Sequence, residues 1–182
     1  MRGLVLFGDL FEDTELIATI DVLIRHREEI TLASAMGRKE VKSKNGIAMK
    51  ADALIEEVNL DDFDFLFIPG GPGAFQILNE LSIVNETISA FVRWGKTIAT
   101  ICAAPFLVGR LGYLRDKNYT VHPGFESQIQ GGCYLRDQGV VEDGLFITAK
   151  SMFYSVDLGL KIVEHFYGEE ERNRLMKSLK GE

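Results

Sequence analysis

Cys102 sits in the run Ile98-Ala99-Thr100-Ile101-Cys102-Ala103-Ala104-Pro105. An apolar strand leads into it, and a helix begins just after it. Pro105 suits the first helical turn, where its missing N–H leaves nothing unsatisfied. A cysteine on such a strand-to-helix turn has the geometry of a nucleophile elbow. The helix start points free N–H groups and a partial positive charge at the sulfur. Both favour the thiolate, so the segment predicts a lowered pKa and a reactive thiol. The competing reading is an ordinary inert cysteine, because cysteine is among the residues most often buried.

Three other segments carry groups that a reactive sulfur would use. Phe65-Leu66-Phe67-Ile68-Pro69-Gly70-Gly71-Pro72-Gly73 reads as a strand ending in two adjacent glycines. Lacking Cβ atoms, they let backbone N–H groups approach a ligand closely. With the N–H that follows Cys102 they would form an oxyanion hole; taken alone, the run is equally a tight turn. Glu12-Asp13-Thr14-Glu15 opens a helix, where carboxylates ordinarily complement the dipole. Glu15 directly precedes Leu16, so it lies beside the apolar stripe and can lean toward the sheet. Desolvated and protonated there, it would donate a hydrogen bond to a thiolate; as a solvated carboxylate it would have no part in the chemistry. Tyr119-Thr120-Val121-His122-Pro123 places a histidine after an extended run. A Cys–His pair is a standard nucleophile and base, although a lone histidine is often structural. His26, in Arg25-His26-Arg27, reads as part of a solvated helix end. His165 reads as a surface or interface residue, and neither is given a role. Three histidines and two cysteines without ligand-like spacing predict no metal site. Gly70 to Gly73 is neither a Walker loop nor a dinucleotide fingerprint.

The elements that must position these groups follow from hydrophobic periodicity. Strands are expected at 4–7, 30–35, 64–69, 97–101, 140–141 and 145–148. Helices are expected at 12–25, 85–93, 104–111, 154–166 and 169–179. Residues 41–51 read as a hairpin turning at Asn45-Gly46. Alternating strands and helices, with apolar strands lacking a period of two, predict one α/β domain over residues 1–182. Its sheet is doubly wound and mostly parallel, with helices on both faces. Ligands in such sheets bind at the carboxyl ends of the strands, here just after Phe7, Pro69 and Ile101.

Composition narrows the class. The 182 residues are 46% apolar and 26% charged, with a net charge of -7. That balance is ordinary for a globular protein and argues against a nucleic-acid partner, which needs a basic face. Arg38, Lys39, Lys42 and Lys44 read as a solvated turn or hairpin among acidic residues. No apolar run is long enough to span a membrane, and the apolar stretch after Met1-Arg2-Gly3 is too short for a signal-peptide core. A cytoplasmic protein whose Cys102 and Cys133 remain thiols is the expectation.

Taken together and in order, the Glu15 helix, Pro69-Gly70-Gly71, Ala99-Thr100-Ile101-Cys102-Ala103-Ala104-Pro105 and Val121-His122-Pro123 resemble the DJ-1/ThiJ/PfpI superfamily, nearest its DJ-1-like branch. Glu142-Asp143-Gly144-Leu145-Phe146-Ile147-Thr148 and the helix after it are similar too. The resemblance implies a flavodoxin-like fold, usually a homodimer. It places Cys102 at the oxidation-sensitive nucleophile, Glu15 at its hydrogen-bonding carboxyl, His122 at the neighbouring histidine, and Gly71 and Ala103 at the oxyanion donors. Activities across the superfamily include glyoxalase, deglycase, chaperone, oxidative-stress and protease roles. Ala103 stands where the protease branch has histidine, so peptidase activity is not expected. Gly124 stands where glutamine amidotransferases need glutamate. Asn45 stands where a basic residue is common near the pocket, and Lys150-Ser151-Met152 replaces the usual Arg-Gly-Pro. Two readings follow. One is a cofactor-independent glyoxalase or deglycase acting on a small α-oxoaldehyde or a glycated adduct. The other is a redox sensor or chaperone using the same cysteine with little turnover. Set against both is a plain binding module with an inert Cys102.

Overall fold

In the computed structural model, which describes residues 1–182, the first strand β1 (Arg2–Phe7) leads into helix α1 (Asp13–Arg25) and strand β2 (Glu29–Ser34). A hairpin of β3 (Glu40–Lys42) and β4 (Ala48–Lys50) follows, then the two-residue strand β5 (Ala53–Leu54). Strand β6 (Phe65–Ile68) runs into the short α2 (Pro72–Gln76), and α3 (Ser82–Arg93) precedes β7 (Thr97–Ile101). Next come α4 (Pro105–Gly109), the small pair β8 (Asn118–Tyr119) and β9 (Cys133–Tyr134), and the antiparallel pair β10 (Val140–Asp143) and β11 (Phe146–Ala149). Helices α5 (Ser155–Tyr167) and α6 (Glu169–Lys180) complete the chain. No helix is long and apolar enough to cross a membrane.

The main sheet has seven strands in the order β10-β11-β7-β6-β1-β2-β5, parallel except for β10. The central strands β6 and β7 are buried at every position because both faces are covered. Along β1, Leu4 and Leu6 pack with Val84, Ile88 and Phe91 of α3, while Val5 and Phe7 pack with Leu16 and Leu23 of α1 and with Leu158 and Ile162 of α5. The two-residue side-chain period of a strand thus serves two separate cores. The expected α/β architecture and hairpin are both present, the hairpin pairing Glu40 with Lys50 and Lys42 with Ala48.

Two differences have local causes. The helix expected over 104–111 closes at Gly109, and the chain then turns through Gly112, whose φ is +82°. Gly109 lies against Ile129: a Cβ there would stand 2.6 Å from Ile129 Cγ1. The solvated helix end expected at His26 is instead a packed joint. The His26 side chain is only 7% exposed, with Nδ1 2.5 Å from Glu28 Oε1 and Nε2 2.8 Å from Glu171 Oε1 of α6. His165 has a comparable pinning role, lying 2.9 Å from Thr97 Oγ1 and 2.7 Å from Glu142 Oε1.

Adjacency of β1, β6 and β7 brings the ends of three strands together at one edge of the sheet. Val5 pairs with Phe67, and Ile68 with Thr100. The segments following Phe7, Ile68 and Ile101 therefore converge.

Candidate functional site

Each chain segment reaching this edge arrives in a constrained form. Cys102 follows β7 directly and has φ +62°, a left-handed conformation that costs a non-glycine residue of order 1–3 kcal/mol. Backbone bonds hold it on both sides: its N–H donates to Ala149 O at 2.8 Å, and its carbonyl accepts from the His122 N–H at 2.9 Å. This is the sharp turn expected of an elbow. Gly71 has φ +92°, and a Cβ there would stand 2.6 Å from Glu12 N. Gly70 is fixed by space alone. A Cβ on it would lie 2.7 Å from Cys102 Cβ, from Glu15 Oε2 and from Ile101 O. Any larger residue would therefore push the sulfur and the carboxyl apart.

Glu15 is 1% exposed, which removes the solvated-carboxylate reading. Its place follows from α1, whose Leu16, Ile20 and Leu23 anchor the helix on the sheet. The Glu15 carboxylate accepts from the Gly70 N–H at 2.9 Å and forms a hydrogen bond with the Cys102 side chain. The N–H groups of Gly71 and Ala103 are directed at the sulfur. Cys102 is half-buried, whereas Cys133 is exposed.

The electrostatics of the pair correct one expectation. A thiolate stabilised by a helix start was anticipated, but the helix after Cys102 has only five residues and little dipole to offer. Burial, the negative charge of Glu15 and its hydrogen bond push the Cys102 thiol up to about 12, against the Gly71 and Ala103 N–H groups. Burial, with Glu12 nearby, also raises Glu15 to about 7, against its bonds to Cys102 and Gly70 and the charge of Lys44. The first proton to leave on raising the pH therefore leaves near 7, and the one that remains is shared between sulfur and carboxyl. The resting sulfur is a thiol with a base in contact with it.

His122 is near the site but differs from expectation. Its backbone is tied to Cys102, yet its exposed ring hydrogen-bonds Pro123 O at 3.1 Å and lies edge-on to Phe125. The ring makes no bond to the sulfur or to Glu15. Two features escaped the sequence reading. Lys44, assigned to a solvated hairpin, forms an ion pair with the buried Glu12 beside Glu15. Asn45 instead donates to Asp13 at 2.6 Å, so the hairpin's basic group at the pocket is Lys44. Phe75 and Phe125, with ring centroids 5.1 Å apart, form an aromatic wall next to His122. Neither feature has a local signal, because both depend on distant segments meeting.

The chain and its doubly wound sheet resemble known proteins. A sequence profile of the DJ-1/PfpI family matches residues 1–165, and the chain belongs to that family. It is 31% identical over 178 residues to protein dj-1beta of Drosophila melanogaster, covering 97% of this chain and 95% of that one. The crystal structure of that Drosophila protein superposes with a TM-score of 0.91 over 98% of this chain and 96% of its own. A glutathione-independent glyoxalase of Caenorhabditis elegans is 32% identical over 171 residues, covering 92% of this chain and 89% of its own. A deglycase of Pyrococcus abyssi is 35% identical over 152 residues, covering 82% and 90%.

Raising a buried carboxyl has a thermodynamic sign. Because the folded value lies above the ordinary 4.5, the contribution of Glu15 to stability is fully present below that pH and is lost as the pH rises through about 7. At about 1.4 kcal/mol per pH unit, the loss is roughly 3 kcal/mol. Glu15→Gln keeps the shape and cannot ionise. Urea titrations at pH 4.5 and pH 8.5 should show the variant gaining about 3 kcal/mol on the wild type between the two. A difference that stays constant with pH would show that the carboxyl is not raised.

Proposed function

We propose that the chain is a cofactor-independent glyoxalase or deglycase in which Cys102 is the nucleophile. The observation that carries this reading is the contact between the Cys102 thiol and the buried Glu15 carboxyl, beside two free N–H groups. Relatives named glyoxalase and deglycase support it. Glu15 takes the thiol proton as the sulfur adds to the aldehyde carbon of an α-oxoaldehyde such as methylglyoxal. The new C–S bond gives a hemithioacetal, and the N–H groups of Gly71 and Ala103 hold its oxyanion. Glu15 returns its proton to the hemithioacetal oxygen, and the freed carboxylate, assisted by His122 after its ring swings from Pro123 O, moves the aldehyde C–H proton to the neighbouring carbon while the hydroxyl proton passes to that carbon's oxygen. The resulting thioester is hydrolysed by water to a hydroxy acid, returning the thiol. Deglycation begins with the same attack on the adduct of an amine or thiol.

Lactate formation from methylglyoxal tests the scheme. Cys102→Ala should abolish it, and Glu15→Gln should lower kcat/KM by two orders of magnitude or more. The wild-type kcat/KM should rise through a pH near 7, where the pair loses its first proton, and then level off. Lactate yield equal in wild type and Cys102→Ala would overturn the reading, and an inflection near 7 that persists in Glu15→Gln would assign it to another group.

A second reading rests on the exposure of the same sulfur. A half-buried thiol ringed by N–H donors and a carboxyl that is protonated near pH 7 is suited to hold sulfinate oxygens. Two equivalents of peroxide would oxidise Cys102 to the sulfinic acid, each being reduced to water. Intact mass after mild peroxide should show two added oxygens, absent in Cys102→Ser. Equal oxidation of Cys133 would remove the sensing role.

The chain is proposed to work in the cytoplasm as a homodimer, without nucleic acid. Support for the dimer comes from an apolar face on α1 and the start of α5. Ile17, Ile24, Met152, Phe153 and Val156 are exposed there, Phe153 at 78%. The two helices are in close contact, since a Cβ on Gly159 would stand 2.7 Å from Val22 Cβ. Sedimentation should give a dimer for the wild type and a monomer for Phe153→Glu; a monomeric wild type would contradict the proposal.

A further inference from the structure

We infer that the cleft beside the end of α4 is a binding site for a small dianionic oxyanion, separate from the cysteine site. Arg110, Gly112, Arg115, Gln128 and Gln130 line it, and its volume is about 340 Å³. Arg110 Nη2 donates to Asn79 O at 2.9 Å and to the Asn85 side chain. Its Nε is buried and has no acceptor. No carboxylate pairs with this guanidinium or with Arg115, and the two share one cleft.

An arginine that is partly desolvated without a counter-ion is in an unfavourable state. Burial pulls the Arg110 pKa below its usual value, and the only charge opposing this is the exposed Glu80. The cation lies over the Phe106 ring, 5.9 Å from its centroid, which is a weak substitute for an anion. Arg115 packs its stem on Gly131 and leaves its guanidinium without a protein acceptor. Two guanidiniums without a carboxylate partner match a doubly charged oxyanion, which accepts charge-assisted hydrogen bonds. The Gln128 and Gln130 amides add neutral donors at the cleft edge. In a chain of net charge -7 such a pocket attracts anions only through this local arrangement.

Phosphate monoesters and dicarboxylates share this chemistry, and two probes separate them. Calorimetric titration uses inorganic phosphate at pH 8 and succinate, both at fixed ionic strength against chloride. At least one should bind saturably at one site per chain, and whichever binds gives the ligand class. Arg115→Gln, an exposed position, should weaken that binding tenfold or more. Arg110→Gln should do the same where circular dichroism shows the variant folded. Lys44→Gln should leave it unchanged. No saturable heat with either probe would overturn the inference. So would unchanged affinity in Arg115→Gln, or a loss confined to Lys44→Gln, which would place the anion beside Cys102.

Discussion

A carboxyl group with almost no access to water lies against a sulfur, and the fold is arranged so that neither can leave. Glu15 is held by its helix, whose apolar stripe is packed into the sheet on one face, and by the Gly70 N–H. Cys102 is held in a left-handed conformation by hydrogen bonds from strands and loops on both sides. Strain of this sort persists only where surrounding structure over-determines it. Burying the carboxyl has a stability cost, and that cost is what gives the site a base poised near neutral pH. An exposed glutamate in the same place would be ionised throughout the physiological range and a poorer partner for the thiol proton.

The glycines follow from that contact. The Glu15 carboxyl, the Cys102 Cβ and the β7 carbonyl all crowd the place where a Gly70 side chain would be, so the close approach of three strand ends is possible only with a bare backbone. Gly71 turns its N–H toward the sulfur through a φ that other residues rarely adopt. The hairpin contributes from outside. Its Lys44 N–H donates to Phe11 O at 3.0 Å, which sets the ammonium against Glu12 and balances a second carboxylate that would otherwise repel charge at Glu15.

The sheet, the hairpin and the convergence of Glu15, Gly71 and Cys102 were legible because they rest on local signals: apolar runs, Asn45-Gly46, adjacent glycines, and a cysteine between strand and proline. The direction of the thiol pKa was not. Sequence shows that a helix follows Cys102, but its length depends on Gly109 and Ile129 packing together, and burial of the sulfur is a property of the assembled layers. Lys44 was hidden for the same reason. A lysine in a charged turn reads as solvated until the hairpin is seen folded onto the start of α1. His26 looked solvated because its flanking arginines are polar, while its partner Glu171 comes from the far end of the chain.

The two chemistries proposed for Cys102 end with negative oxygen in the same place, beside the Gly71 and Ala103 N–H groups, whether that oxygen came from a carbonyl or from peroxide. The inner site therefore favours both, and selection between them falls to the rim. Peroxide is small and needs only access. An α-oxoaldehyde needs a surface for its carbon chain and a proton carrier on the far side of the sulfur. His122 and the Phe75–Phe125 pair supply one such side. On the opposite side the chain leaves β11 beside Cys102, whose N–H is bonded to Ala149 O, and continues into the exposed Met152 and Phe153.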